Sequence, residues 1–485
     1  MLTSKFADYI LSTSYENLPE GVIVKAKECF MDYLGVALRG SGTRSGKAVQ
    51  SVISAGKDST VLGEYFDSIN LKTKSTPYKA SVRDAGLVNG VFAHCLDLDD
   101  GHRLAQLHPG ACVIPAAMAL CEAYNKSGKE LLEAIVVGYH VTIVLGMMVN
   151  PEHRNQGFHS TGTCGTLGAA AAASKVLDLN RSQIVDALGL AGTQAAGLLE
   201  SDHSGSMGKH LHAGKAAHSG ILAVQLAKVG FTGADAILEG NEGFLNVMAG
   251  INPGNMNFHT KIDEHPEKSN IFELPETKNI DELMENHKIL EVYFKIYPVC
   301  RHLHSSIDAF LELVKEHNIR PNEVERITVD TYEIAADHDN YHPDSTEALR
   351  QSLPFSLTMT LLNAYNEQDI LETFQYPPLN KEIKDKIENL SQKIVIKKDA
   401  QLNLQYPYKR PSRISILTNK GLYEKQVDLP YGEPENPLIN GDIHRKFLNL
   451  NPKLDMEVIN IIESIDSYTD INNFTADLNS FLNHH

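Results

Sequence analysis

Tryptophan is absent from these 485 residues, and cysteine occurs only six times. The six thiols (Cys29, Cys95, Cys112, Cys121, Cys164 and Cys300) include no Cys-x-x-Cys pair. That argues against a zinc ribbon or a disulfide framework and for free thiols in a reducing cytoplasm. Positive charge is also scarce: 44 Lys and Arg stand against 61 Asp and Glu, a formal net charge of −17. Such a surface repels phosphate backbones and anionic lipid, so neither nucleic acid nor a membrane is the expected partner. The opening MLTSKFADYI lacks the basic-then-apolar run of a signal peptide. The most apolar stretch, 134–149, is interrupted by Gly138, Tyr139, His140 and Thr142 and is short for a membrane span, so it reads as a buried helix.

What the chain does have is apolar content, 42% of residues, enough for a sizeable core in a chain too long for one compact domain. Residues 20–38 follow the helical period, with Val22, Ala26, Cys29, Phe30, Tyr33, Leu34 and Ala37 on one stripe and Gly40 placed to end it. The first 250 residues continue as helices, several rich in small side chains: GTLGAAAAASKVL, LGLAGTQAAGLL and HAGKAAHSGILAVQLAKVG. Small side chains let helix axes approach closely, which predicts interior helices of a large bundle. Residues 256–290 are polar, carry Pro266 and Pro275, and read as a connection. Beyond them VERITVDTY, KIVIKKD and SRISIL look like strands, with Thr418-Asn419-Lys420-Gly421 as a hairpin turn into LYEKQVDL. DSTEALRQSLPFSLTMTLLNAY and NKEIKDKIENLSQ read as helices between them. The expected fold is mainly α with an inserted α+β domain: an all-helical body over 1–290, an α+β domain over 291–428, and a helical return over 429–485.

Four polar clusters could carry chemistry. HCLDLDDGHRLAQLHPG brings His94, Asp97, Asp99, Asp100, His102 and His108 to a helix-to-loop junction. There an Asp can fix an imidazole tautomer and raise the basicity of its other nitrogen. A solvated acidic helix end is an equally good reading of that composition. A metal site is a rival, but the spacing matches no metal template, and none is expected. HRNQGFHSTGTCGTLG places His159 ahead of a Gly/Ala helix, a natural anion seat. A single His there is more often structural than catalytic. SDHSGSMGKHLHAGKAAHSG offers Lys209 between glycines and histidines. FKIYPVCRHLHSSIDAF gathers Lys295, Cys300, Arg301, His302 and His304, a credible carboxylate clamp with a possible thiol nucleophile. Four such clusters in a chain short of basic residues are hard to dismiss, and an anionic substrate would need a local basic island among them.

In order along the chain, NGVFAHCLDLDDGHRLAQLHPGACVIPAAMAL, GFHSTGTCGTLGAAAAASKVL, MGKHLHAGKAAHSG, FKIYPVCRHLHSSIDA and GEPENPL resemble the MmgE/PrpD family over roughly residues 5–475. The family includes 2-methylcitrate dehydratase, cis-aconitate decarboxylase and iminodisuccinate epimerase. The resemblance implies a homodimer, a helical domain with an α+β lid domain, and a site in the cleft between them. It further implies that Asp97, His108, His159, Lys209 and Lys295 line that site and that Tyr139 matches an acid/base tyrosine of the epimerase. Cys300 falls where the decarboxylase has a nearby histidine, and Phe355 where it has a tyrosine; both departures point away from decarboxylation of cis-aconitate.

The reactions of the family share charge developed at a carbon beside a carboxylate, with neither metal nor organic cofactor. That needs a base, cations to hold the enolate-like charge and, for dehydration, an acid for the departing hydroxyl. The expected assignment gives the α-proton to Lys295 or Tyr139, acid and anchoring roles to His108 and His159, and imidazole orientation to Asp97. Lys209 and Arg301 bind carboxylates, with His102, Cys300, His302 and His304 as further substrate contacts. The leading expectation is a cofactor-independent dehydratase acting on a hydroxylated di- or tricarboxylate. An epimerase or a cis-aconitate-type decarboxylase is the alternative. More distant are a metal-dependent terpene or prenyl lyase, poorly served by 7% aromatics, and a non-catalytic scaffold.

Overall fold

The computed structural model describes residues 1–63, 65–67, 72–74, 78–251, 280–364, 381–439 and 441–484. Most of the polar connection expected over 256–290, with Pro266 and Pro275, lies outside them. The chain divides into two compact units: one of Met1–Glu200, Gly208–Val292 and Ile443–His485, the other of Ser201–Met207 and Tyr293–Asp442.

The larger unit is built from helices α1 (Leu2–Ser12), α2 (Glu20–Gly40), α3 (Val82–His94), α4 (Gly110–Ala123), α5 (Gly128–Val149), α6 (Ser160–Val176), α7 (Arg181–Gly192) and α8 (Gly208–Lys228). The C-terminal helices Met456–Glu463 and Ile471–His484 return to it. Local signals start these helices where the sequence changes. The Ser81 hydroxyl accepts from Asp84 N–H to cap α3, and Ser127 with Glu130 forms a reciprocal capping box on α5. α5 contains the apolar stretch 134–149 and is long and apolar enough by composition to span a bilayer. Here it is a core helix, since 94% of its most apolar window is buried inside the protein.

The small-residue texture has a direct packing consequence. A Cβ on Gly90 of α3 would lie 2.7 Å from the Gly214 Cα of α8, and one on Gly214 would lie 2.2 Å from the Leu87 carbonyl oxygen. Glycine at both positions therefore sets the distance between α3 and α8, which brings the end of α3 beside the start of α8. α5 and α6 meet similarly, a Cβ on Gly168 falling 1.6 Å from Thr142 Oγ1. The unit is not wholly helical. Strand β1 (Ser59–Val61) pairs antiparallel with β2 (Tyr78–Ala80), and a second short pair joins Tyr65–Asp67 to Lys72–Lys74. The β1–β2 pair is anchored by Glu122, whose carboxylate accepts from Thr60 N–H and Oγ1–H.

The smaller unit is α+β. Its four-stranded sheet runs β4–β3–β5–β6, where β3 is Val324–Thr331, β4 is Ile394–Lys398, β5 is Ser412–Thr418 and β6 is Gly421–Val427. β3 pairs parallel with β4 and antiparallel with β5, and β5–β6 is the hairpin closed at Thr418 and Gly421. Helix α9 (His304–Glu316) lies on the sheet through Ile307, Phe310, Leu313 and Val314, all buried with Ile327, Val329, Ile414 and Ile416. Each such side chain contributes ~1.5–3 kcal/mol through burial. The single helix expected before Tyr365 is two, Thr346–Leu349 and α10 (Leu353–Asn363), parted ahead of Pro354. Residues 429–442, read from sequence as the start of the helical return, belong to this unit. Phe294 N–H donates to the Gly432 carbonyl at 3.0 Å, and Arg301 pairs with Glu433.

Candidate functional site

In the helical unit the loop between α3 and α4 carries most of the first polar cluster. His94 is the last residue of α3, and His108 stands two residues before α4. The loop is tied down at several points. The Lys446 ammonium pairs with buried Asp32 and donates to the Leu98 carbonyl. His102 and Leu107 form an isolated bridge. Asp97 adopts a left-handed backbone, φ 52°, a conformation that costs a non-glycine residue ~1 kcal/mol and that Asp tolerates better than most. Its carboxylate lies 3.1 Å from the Lys209 ammonium, on the first turn of α8, with both side chains largely buried. The α3–α8 glycine contact delivers this pair.

Three imidazoles form a neighbouring cluster, and the Lys209 charge acts on one of them, His159. His94 is fully buried; its Nδ1 lies 2.7 Å from Asp99 Oδ2. A carboxylate only accepts, so Nδ1 carries the proton, and in the neutral ring the lone pair sits on Nε2, which is buried without a hydrogen-bond partner among the described residues. His108 Nδ1 lies 2.6 Å from the Asp100 carbonyl oxygen, so it too is protonated at Nδ1 and basic at Nε2 when neutral. His159 precedes the first residue of α6, and its Nδ1 lies 3.0 Å from His212 Nδ1. Across that contact one ring donates and the other accepts. Burial, followed by the charges of His94, Lys209, His212 and His108, holds His159 well below the usual histidine range, so it is neutral at pH 7. The His94 ring is 5.2 Å from His108 and 5.8 Å from His159, centroid to centroid. The site is a packed imidazole cluster beside a lysine–aspartate pair.

Asp100 and Tyr139 form the floor. Tyr139 is fully buried on α5, and its hydroxyl donates to Asp100 Oδ2 at 2.6 Å, while Gly110 N–H donates to Oδ1 at 3.1 Å. Burial first, then the charges of Asp32 and Asp99, push the Asp100 carboxyl up to about 7 against those hydrogen bonds. Burial and the Asp100 charge raise the Tyr139 phenol well above 10, so it is a proton donor here. His94, Asp99 and His108 also place ligand atoms within 4.8 Å of one another. As arranged, His94 Nδ1 and His108 Nδ1 point their protons at oxygen, the geometry of a hydrogen-bond chain.

The remaining residues expected at the site have other partners. His102 accepts from Ala105 N–H at Nδ1 and donates from Nε2 to Glu291 at 3.1 Å. Both its nitrogens are occupied, and it braces the loop. In the α+β unit Arg301, expected as a carboxylate clamp, is bonded to protein groups. Its Nε and Nη2 donate to Glu433 Oε1 at 3.2 and 3.0 Å, and Nη1 donates to His304 Nδ1 and the Tyr431 carbonyl. Its plane lies 4.4 Å from the Tyr293 ring centroid. His304, fully buried, donates from Nε2 to the Val299 carbonyl, so it belongs to the same structural network. Lys295 is 1% exposed. His302 Nδ1 contacts the Tyr332 hydroxyl at 2.6 Å, and Cys300 Sγ lies 3.7 Å from His338 Nε2. Sequence reading placed His94, Asp100 and His212 in its polar clusters without assigning them a role, although the i+3 spacing of His212 to Lys209 puts both on one helix face, and it named neither His338 nor Glu433. Nothing local marks His338 or Glu433, which reach their partners from 38 and 132 residues away.

Comparison with known proteins adds the family. The MmgE/PrpD N-terminal domain matches residues 4–256 and the MmgE/PrpD C-terminal domain residues 297–465. Cis-aconitate decarboxylase of Mus musculus is 27% identical over 470 residues, covering 92% of this chain and 86% of that protein. Cis-aconitate decarboxylase of Aspergillus terreus is 24% identical over 498 residues, covering 97% and 94%. The Homo sapiens enzyme is 32% identical over 260 residues, covering 52% and 51%. With both domain models matched, the chain belongs to the MmgE/PrpD family and shares its lyase-type chemistry on polycarboxylates.

Proposed function

We propose that this protein is a lyase of a small polycarboxylate and that decarboxylation of cis-aconitate is its reaction. The observation that carries the reading is the cluster of His94, His108 and His159 with the Lys209–Asp97 pair close enough for the Lys209 charge to act on His159. The names of the relatives favour decarboxylation over the dehydration expected from sequence. In the proposed reaction the bond to one carboxylate breaks and carbon dioxide leaves. The electron pair delocalises through the neighbouring alkene and carboxylate, and a proton is delivered to carbon. Lys209, held by Asp97, supplies positive charge for a carboxylate. His108, whose Nδ1 is pinned to the Asp100 carbonyl, offers Nε2 as the group that exchanges the proton. Neutral His159 donates or accepts a hydrogen bond without competing for the anion.

Dehydration of a hydroxylated tricarboxylate is the second reading. It is favoured by Cys300 and Phe355, which replace the histidine and tyrosine that the resemblance assigns to the decarboxylase. Phe355 is packed in the α+β core, 4% exposed. Proton NMR of the purified protein with cis-aconitate, citrate and 2-methylcitrate separates the two. Decarboxylation gives a new terminal-alkene product from cis-aconitate alone. Dehydration converts the hydroxy acids into alkenes and leaves the carboxylate count unchanged. Turnover is expected to persist with chelator; its loss, with recovery on adding a divalent cation, would reassign His94, Asp99 and His108 as a cation site. The homodimer implied by the family is tested by sedimentation equilibrium.

A further inference from the structure

The contrast among the six cysteines carries a further inference. Cys29, Cys95, Cys112, Cys121 and Cys164 are buried, whereas Cys300 is partly exposed. Burial drives the Cys29, Cys112 and Cys121 thiols far up and Cys164 to about 12, so these four are inert at neutral pH. Cys300 has a different environment. Its Sγ lies 3.7 Å from His338 Nε2, and His338 Nδ1 lies 2.9 Å from the Gln351 carbonyl oxygen. The carbonyl can only accept, so Nδ1 holds a proton and Nε2 is the nitrogen that faces sulfur. This is the base-and-orienter geometry of an activated nucleophile. Cys300 also precedes the helical run formed by Arg301–Leu303 and α9, whose N-terminal end favours negative charge.

We propose that Cys300 and His338 form a thiolate–imidazolium pair and that Cys300 is a site of covalent modification by soft carbon electrophiles. The thiol proton passes to His338 Nε2, the thiolate attacks carbon, and a thioether forms. With an alkyl iodide the carbon–iodine bond breaks and iodide leaves, so no oxidant or reductant is involved. The groups facing the pair are Asp202, His302, Tyr332, Tyr406 and Arg410. His302 stacks on His338 at 5.8 Å and contacts Tyr332 and Tyr406, while Arg410 faces Tyr332 and Tyr406 electrostatically. Burial opposes the His338 imidazolium, but Cys300, the Gln351 carbonyl and Asp202 outweigh it and raise His338 above its ordinary 6.5. The adjacent Arg301 is neutralised by Glu433.

The test is the pH dependence of alkylation of the full chain by iodoacetamide, with the labelled residue located by peptide mass spectrometry and Cys300→Ser as the assignment control. Labelling confined to Cys300, with a rate inflection below about pH 7.5, supports the pair, against about 8.5 for an ordinary thiol. An inflection at or above that boundary overturns it. His338→Gln is expected to slow labelling at pH 6.5 at least about 10-fold, following the lost thiolate fraction. The wild-type profile stands alone if that variant misfolds. Because the readout is alkylation, the outcome is independent of whether cis-aconitate is the substrate.

Discussion

The Lys209 ammonium lies 3.1 Å from the carboxylate of Asp97, a residue held at φ 52° just beyond the end of α3. Removing one member of a buried ion pair leaves an uncompensated charge and costs ~3–5 kcal/mol, whereas replacing both is far milder. Lys209→Met and Asp97→Asn are therefore each expected to lower the melting temperature. The double variant should recover much of that loss. Activity should not recover: kcat/KM is expected to stay at least about 100-fold down in all three, since the substrate cation is missing or misplaced. A double variant that regains activity would make the pair purely structural.

The two histidine environments give a paired prediction. His108 has Nδ1 pinned to the Asp100 carbonyl and Nε2 as its basic nitrogen, while His102 has both nitrogens occupied by Ala105 and Glu291. His108→Gln is expected to lower kcat about 10- to 100-fold, the range of a general acid–base contribution, with a small change in melting temperature. His102→Gln should do the reverse, lowering the melting temperature while kcat/KM stays within a few-fold. Steady-state kinetics and thermal unfolding on the same preparations decide it.

These assignments show where sequence reading stops. The helical body was legible because its signals are local: the apolar stripe of α2, the Ser127–Glu130 cap and the small-residue runs that let α3 meet α8. Asp97, His108, His159 and Lys209 were legible as dense polar clusters at helix ends. The partners of the α+β cluster were not legible, because side-chain type does not reveal them. Arg301 looked like a free clamp, yet Glu433 reaches it from 132 residues away. His102, six residues from His108, is bonded to Glu291, a residue that sequence spacing could not connect to it.

Stability should depend on pH through two opposed groups. Asp100, raised to about 7, binds its proton more tightly in the folded chain, so its stabilising effect is complete below ~4 and is lost as pH climbs through 7. That amounts to ~4 kcal/mol at 1.36 kcal/mol per unit. His153, lowered by burial to about 4, acts the other way. Its contribution is present above 6.5 and is lost as pH falls toward 4, ~3 kcal/mol by the same conversion. Asp100→Asn keeps a partner for both Tyr139 and Gly110. Its stability relative to wild type is expected to increase between pH 5 and pH 8 in urea unfolding. A difference independent of pH would show that Asp100 titrates normally.

Arg301 and Glu433 are 3% and 0% exposed, and Glu433 also holds residues 429–442 to the α+β unit. Glu433→Ala leaves a guanidinium buried against Tyr293 without its counter-ion, and a loss of ~3–5 kcal/mol is expected. Glu433→Gln retains one acceptor and should cost less. Had Arg301 been a substrate clamp, freeing it from Glu433 would tighten carboxylate binding and lower KM. The structural role instead predicts a drop in unfolding midpoint with faster proteolysis within 429–442, and no tightening of KM. Measuring KM on the Glu433→Gln variant at a temperature well below its unfolding midpoint separates the two, because any gain in affinity there would come from the released guanidinium.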